Sequence, residues 1–399
     1  MKIRSLSLLS SIAALVLLVV PGGAWSASSL AEELSKIQTP ADLEALIAST
    51  DKVGLKMALQ DGSDAILAAV ALRPHLEAVL RMVEGAPGSF ETTNKTPVAL
   101  KMAVGGALPL FDTLHRLDLA VTGAGAHAHR TINPYDLAFF EHLSHLHSLT
   151  WLNVRSTKAD DTCMPLLAKL TNLTTLKIAN NGKLSDAGLE SLAEMRQLEY
   201  FNFVGTSMTG KAFSKFEGWT NLKRSSFRGS SLDDAGLRLL CERFPNYESL
   251  SLAHAKFTNA GAIHLSKLTH LRRLEIGSHN ASPECLGSIV TLPLEYLQIG
   301  DGLDTPEGIA LIKDIPTLRQ LTLIGASALT DADLKLVADM TQLEHLELGR
   351  VEWPNERLPL LKNFAFLKSL RLVPPGGAYP PEMQDRIKAL LPKVDLQLK

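Results

Sequence analysis

Cysteine is scarce in this chain of 399 residues: Cys163, Cys241 and Cys285 are all it has. Three thiols so far apart in sequence build no disulfide framework, so they are expected as buried, unpaired side chains. Charge of one sign is missing as well. Forty basic residues stand against 42 acidic ones, a formal net charge of −2. That near-balance argues against a nucleic-acid binder driven by bulk charge. Beyond the first 20 residues no apolar run is long enough to span a bilayer, which needs roughly 20 residues of helix. Catalytic motifs are missing too: no HExxH, GxSxG, CxxC or phosphate-binding loop occurs, and no pair of acids stands in a context that would tune their pKa values. The sequence therefore predicts neither an enzyme nor a cofactor.

The first residues form a separate unit. Lys2 and Arg4 precede a mostly apolar stretch from Leu6 to Val20, and Pro21 to Ala27 is a small-residue exit. This pattern predicts a secretory signal peptide over residues 1–27, cleaved after about Ser26 or Ala27. With no cysteine at the exit, a lipid anchor is not expected, and the product is expected to be secreted or periplasmic.

What is abundant is a beat of leucine. The pattern LxxLxL returns from Leu114 to the end of the chain, as in Leu149/Leu152/Val154, Leu173/Leu176/Ile178, Leu271/Leu274/Ile276 and Leu343/Leu346/Leu348. After a first interval of 35 residues the spacing stays between 23 and 25, and a closing Leu391/Val394/Leu396 makes twelve copies. Within one copy, Leu176 and Ile178 alternate with polar residues, the mark of a short strand with one buried face. Asn181 occupies the turn that follows. Ser185 then offers a helix N-cap with Asp186 in the first turn, and Leu189, Leu192 and Met195 follow at helical spacing. The start signal recurs as Leu232-Asp-Asp-Ala-Gly-Leu237, Phe257-Thr-Asn-Ala-Gly261 and Leu329-Thr-Asp-Ala-Asp-Leu334.

On these residues the chain resembles the leucine-rich repeat family, in its bacterial exported form with TDAGL-like helix starts. The resemblance covers residues 113–399, some 11 to 12 repeats, and implies an α/β solenoid with a curved parallel sheet inside and helices outside. It also implies a recognition scaffold without catalytic activity. Single coils cannot bury their own leucines, so both ends need covering. Residues 28–112 lack the beat and are expected as a helical N-terminal cap. There Thr39 caps a helix that begins with Pro40, Asp64 to Glu84 is helical, and a linker runs from Gly85 to Pro97. Pro381 to Leu391 is expected as a last helix and Val394 to Lys399 as a last strand.

In such a coil the residues flanking the strand leucines point out of the sheet. Three columns result, beginning Arg116/Trp151/Thr175/Tyr200/Arg224, Asp118/Asn153/Lys177/Asn202 and Ala120/Arg155/Ala179/Val204/Arg228. Over their full length they carry seven Arg or Lys against three Asp or Glu, and three of the chain's nine Trp and Tyr residues. Aromatics and arginines are the side chains that most often anchor interfaces. The expected partner-binding patch is Trp151, Arg155, Lys177, Tyr200, Asn202, Arg224, Arg228, Arg273 and Tyr296, gripping a protein, peptide or glycan on the concave face. One repeat breaks its rule with Ser225 at a leucine position, read as a weak spot or a kink.

Two alternatives stay open. Intracellular substrate receptors of ubiquitin ligases carry similar repeats, although the leader argues against that setting and no F-box-like segment is evident in residues 28–112. The other is a metal-binding module. Histidine is concentrated around an insertion after the first strand, and His142 and His145, three apart on a helix, could chelate with His127 or His129 if the loop folds back.

Overall fold

A computed structural model of the chain describes residues 27–51, 53–84, 89–94, 112–120 and 135–398. Residues 1–26 of the expected leader, and the loop with His127 and His129, lie outside these.

Four helices come first: α1 (Ala27–Lys36), α2 (Pro40–Ser49), α3 (Val53–Asp61) and α4 (Ser63–Glu84). Thr39 caps α2 reciprocally. Its Oγ1 accepts from the Asp42 N–H at 3.3 Å, and the Asp42 carboxylate accepts from the Thr39 N–H at 2.8 Å, which satisfies two donors that a helix start otherwise leaves orphaned. Leu34, Leu43, Leu46, Leu59 and Ile66 close a small core of their own. Val79 and Val83, at the far end of α4, belong instead to the large core of the repeats. One helix thus ties both bodies together. The segment from 85 to 97, expected as a linker, contains a strand, β1 (Ser89–Asn94), antiparallel to β2 (Asp112–Asp118) with an irregularity between Glu91 and Thr92.

From β2 onward every neighbour pair is parallel and consecutive in sequence: β3 (Trp151–Asn153), β4 (Thr175–Lys177), β5 (Tyr200–Asn202), β6 (Arg224–Ser226), β7 (Ser249–Leu252), β8 (Arg273–Ile276), β9 (Tyr296–Ile299), β10 (Gln320–Leu323), β11 (His345–Gly349), β12 (Ser369–Val373) and β13 (Asp395–Leu398). This is the α/β leucine-rich-repeat solenoid that the beat predicts. Strands stack about 4.8 Å apart whereas helices need about 10 Å, so the sheet lies on the inner side of the stack. The middle leucines run side by side, as Leu152↔Leu176↔Phe201 and Leu274↔Leu297↔Leu321, and one core runs unbroken from Val79 to Val394. Each large apolar side chain buried there contributes about 1.5–3 kcal/mol.

Two details differ from the beat. The last copy is displaced by two residues: Leu396 and Leu398, not Val394 and Leu396, lie beside Leu370 and Leu372. A shift of two keeps every side chain on its face of the sheet, so the packing tolerates it. The outer segments also are not all α-helices. Asp136, Ser185, Asp233, Thr258, Thr305 and Thr330 cap short α-helices, α5 (Leu137–Leu143), α7 (Asp186–Glu190), α8 (Asp234–Arg243), α9 (Asn259–Ala262), α10 (Pro306–Ile312) and α11 (Asp331–Ala338), whereas Asp160 caps a 3-10 turn (Asp161–Cys163) that runs into α6 (Met164–Leu167). Lys211–Lys215, Pro283–Ile289 and Leu358–Phe364 lack a side-chain cap and wind as tighter 3-10 turns. At the end, α12 (Pro381–Leu390) and β13 fall where the sequence predicts them.

Three aspartates of the helix starts, Asp161, Asp186 and Asp234, do more than face their own helix dipole: each caps the next coil. The Asp161 carboxylate accepts from the N–H and hydroxyl of Ser185, at 2.8 and 2.6 Å. Asp186 does the same for Thr209, at 2.9 and 2.7 Å, and takes the Gly210 N–H as well. Asp234 accepts from Thr258 at 2.6 and 2.7 Å and from the Gly261 N–H at 2.9 Å. The glycine of the Asp-Ala-Gly or Asn-Ala-Gly start is required by this reach. A Cβ on Gly188 would sit 2.4 Å from Asp161 Oδ1, and one on Gly261 would sit 2.5 Å from Asp234 Oδ1. Turn residues knit the coils similarly. The Asn181 amide donates to the carbonyls of Val154 and Ile178, at 2.8 and 2.9 Å, while Thr157 and Thr206 each donate to the carbonyl three residues back.

Candidate recognition face

The outward columns of the sheet are in lateral register. Trp151 pairs with Thr175, Thr175 with Tyr200 and Tyr200 with Arg224, while Arg116 lies beside Trp151. A parallel ladder places residues at equal height on neighbouring strands about 4.8 Å apart, so side chains in one column touch across repeats.

They do so as alternating cations and rings. The Arg116 guanidinium lies 3.3 Å from the centre of the Trp151 ring. Lys177, between the two rings and one position along the strand, has its ammonium 5.0 Å from Trp151 and 5.6 Å from Tyr200. Arg224 lies 5.7 Å from the other side of Tyr200. Five strands thus carry the sequence Arg116, Trp151, Lys177, Tyr200, Arg224. A second, smaller pair stands farther along, with Arg273 at 4.1 Å from Tyr296. Arg224 and Arg273 are exposed, whereas Trp151, Lys177, Tyr200 and Tyr296 are half-buried. Burial pushes the Tyr296 hydroxyl above its ordinary range, and the nearby Glu275 charge adds to this.

The remaining predicted positions divide. Arg155 is exposed and stands 3.2 Å, through both Nε and Nη2, from the side-chain amide of Asn180. Arg228 is exposed at the edge of the sheet and donates to His254 Nε2 at 3.1 Å. Asn202 is half-buried and engaged locally: its amide donates to the Tyr200 hydroxyl at 3.0 Å, and its oxygen accepts from the Val204 N–H at 3.0 Å. It holds the tyrosine in place. The three acids of the face are also engaged. Asp118 accepts from Asn153 at 3.0 Å, Glu275 from Ser251 at 2.7 Å, and Glu347 from Arg371 at 3.2 Å. Among the described residues, Lys177, Arg224 and Arg273 have rings rather than carboxylates as close partners.

One rim of the sheet shows the opposite arrangement. From β5 to β12 the residue before each strand alternates in sign, and Lys223 pairs with Glu248 at 3.0 Å, Arg272 with Glu295, and Lys368 with Glu344 at 2.7 Å. Charge cancels there, whereas Lys177 and Arg224 on the inner face lie against rings.

The three cysteines are buried and unpaired, as expected. Burial pushes the Cys241 thiol up to about 12 and that of Cys285 up to about 11, so neither supplies a thiolate at neutral pH.

His142, on α5 (Leu137–Leu143), and His145, just beyond it, share a face as their spacing predicts, but the residue they meet is His75 of α4. His75 Nδ1 faces His142 Nδ1 at 3.0 Å, and its ring stacks on His145 with centroids 3.8 Å apart. Burial first, and then the two neighbouring imidazoles, hold the His75 pKa below the usual histidine range. Stacked rings do not converge on a common point. Among the described residues, the grouping of three side chains with convergent ligand atoms is a different one, His254, His279 and Asp301. The sequence reading missed it, because these residues sit in three separate turns with no local histidine cluster to mark them.

No protein-family model matches the chain. No curated protein matches it either. Among solved structures, an internalin from Listeria monocytogenes is similar at 16% identity, over 68% of this chain and 86% of that one, with a TM-score of 0.37. Among the described residues no helix is long and apolar enough to cross a membrane.

Proposed function

We propose that the chain is an exported, non-catalytic recognition scaffold that grips an acidic protein, peptide or glycan partner on the inner face of β2–β6. The observation that carries this reading is the ladder of Arg116, Trp151, Lys177, Tyr200 and Arg224. Cations held over ring faces are already partly desolvated and ordered, so a partner's carboxylates, sulfates or flat apolar groups meet them at little further entropic cost. Anchors of this composition dominate interfaces, and a cationic surface on a nearly neutral chain steers acidic partners to one place. Arg155, Asn202, Arg228, Arg273 and Tyr296 extend the surface, Asn202 by fixing Tyr200. Export rests on the Lys2/Arg4 leader.

Trp151 supplies the test, since Trp219 and Trp353 are buried and Trp25 belongs to the expected leader. Titrating the protein with an oligoglutamate peptide is expected to change tryptophan fluorescence saturably. The response should weaken as salt is raised, and should fall at least about tenfold in apparent affinity in the Lys177→Glu/Arg224→Glu double variant. A response that survives the double variant, or no response at low salt, would overturn the acidic-partner reading.

A further inference from the structure

We propose that His254, His279 and Asp301 form a binding site for a divalent transition metal, zinc in the first instance, at the edge of the sheet beyond β7, β8 and β9. The three residues come from successive coils, 25 and 22 residues apart, each in the turn that follows its strand. One ligand atom from each lies within 4.8 Å of the others. Asp301 is the anchor. Its Oδ1 stands 2.6 Å from His254 Nδ1 and 3.5 Å from His279 Nε2, while its Oδ2 accepts the backbone N–H of His254 at 2.9 Å.

That reach spans two repeats, and a missing side chain makes it possible. A Cβ on Gly277, in the coil between, would sit 2.7 Å from Asp301 Oδ2 and 3.1 Å from its Cγ. The carboxylate is accordingly enclosed, with 6% of its side chain exposed, whereas the His254 and His279 rings are 46% and 78% exposed. The cluster has a fixed, negatively charged floor and an open mouth through which an ion can enter and keep water or a partner's group as a further ligand.

The donor set selects the ion. Two imidazole nitrogens and one carboxylate oxygen suit zinc and its first-row neighbours, whereas calcium and magnesium take oxygen ligands. A tetrahedral centre with bonds of about 2.0–2.1 Å holds its ligand atoms about 3.3 Å apart. The His279–Asp301 distance already fits, and the His254–Asp301 contact has to open by less than about 1 Å. In the ion-free protein Arg228 donates to His254 Nε2, so the imidazole proton sits on Nδ1 and points at Asp301. Metal binding at Nδ1 requires the other tautomer: the Nδ1 proton leaves and Nε2 takes one up from solvent, so no net proton is released and the ring is left protonated at Nε2. Arg228 then becomes a competitor, both as a second donor facing that N–H and as a nearby positive charge.

Calorimetric titration of the full chain with zinc chloride tests the site. The expected result is one equivalent bound at micromolar metal, with no heat from magnesium. His279→Ala should weaken binding at least about tenfold. Because that ring is mostly exposed, the thermal midpoint should not move. Arg228→Ala should tighten binding several-fold, and His142→Ala/His145→Ala should leave it unchanged. Absence of zinc heat, or binding that persists in both His254→Ala and His279→Ala, overturns the proposal, as does binding lost with the His142/His145 pair. The Lys177→Glu/Arg224→Glu variant should bind zinc normally, so failure of the recognition face and failure of the metal site are separable.

Discussion

Two sets of charged residues recur along this solenoid at intervals of one or two coils, and the protein uses them in opposite ways. On the outer side, Asp161, Asp186 and Asp234 are each taken up by the backbone and hydroxyl of the next coil's helix start. On the inner side, Arg116, Lys177 and Arg224 lie over the rings of Trp151 and Tyr200. The aspartates stand at one position of the helix start, which reads Asp-Ala-Gly at Asp186 and Asp234 and Asp-Thr-Cys at Asp161, and their carboxylates accept from within the chain. The cations belong to no repeated motif and fall in two columns, and Lys177 and Arg224 have rings rather than carboxylates as close partners. In a stack of near-identical coils, then, a charge that repeats in a motif holds neighbours together. A charge that breaks the repetition is open to something outside.

Removing Asp234 gives the largest effect expected from this contrast. Asp234→Ala leaves the Thr258 N–H and hydroxyl without this acceptor and the Gly261 N–H with only its bond to the Thr258 carbonyl at 3.2 Å, and loss of such charge-assisted capping should cost about 2–3 kcal/mol. A denaturant titration should show a lower midpoint at unchanged slope. Asp234→Asn, which retains an acceptor oxygen, should lose less than half of that. Equal loss in both, or none, would mean the cross-coil bonds contribute little and the repeated aspartates have another purpose.

Much of this architecture is legible in the sequence because it rests on two periods. The two-residue alternation of a strand and the 24-residue beat together assign every flanking residue to a face, and the lateral pairing of Arg116, Trp151, Thr175, Tyr200 and Arg224 follows directly. What those periods do not encode is reach. Lys177 sits between two rings because of its rotamer and length. Asp301 meets His254 by crossing an intervening coil above Gly277, which no spacing announces. His75 joins His142 and His145 because α4 packs across the first repeat, a tertiary contact between segments 67 residues apart. The closing strand went astray for a related reason: a two-residue slip preserves the hydrophobic pattern, so Val394/Leu396 and Leu396/Leu398 read alike until Leu370 selects one.

The broken beat at Ser225 offers an intermediate effect. It is neither a kink nor an uncompensated weak spot. Ser225 is buried at 4% exposure, and its hydroxyl is 2.9 Å from that of Tyr247, itself fully buried at the first leucine position of the next copy. Two departures from leucine in adjacent coils therefore satisfy each other. Ser225→Ala or Tyr247→Phe alone strands one buried hydroxyl and should cost about 1–2 kcal/mol. The double variant strands neither and should cost less than the sum, with a coupling of about 1 kcal/mol in thermal or denaturant unfolding. Strict additivity would show that the two hydroxyls are satisfied elsewhere.

The smallest stability effect should come from the residue on which the recognition face most depends. Lys177 touches two rings, but both contacts are at a half-exposed surface, where a cation–π pair contributes about 0.5–1 kcal/mol. Lys177→Glu also removes a like charge from the vicinity of Arg116 and Arg224 and adds an opposite one, which offsets part of that loss. The expected change in the unfolding midpoint is therefore below about 1 kcal/mol, within the range of ordinary surface substitutions. The same substitution should abolish most of the salt-sensitive response to an acidic peptide, because the charge that a partner meets has reversed at the centre of the ladder. A large stability loss in Lys177→Glu would place this side chain with the aspartates, as a residue that holds coils together, and would remove the distinction between the two charged sets.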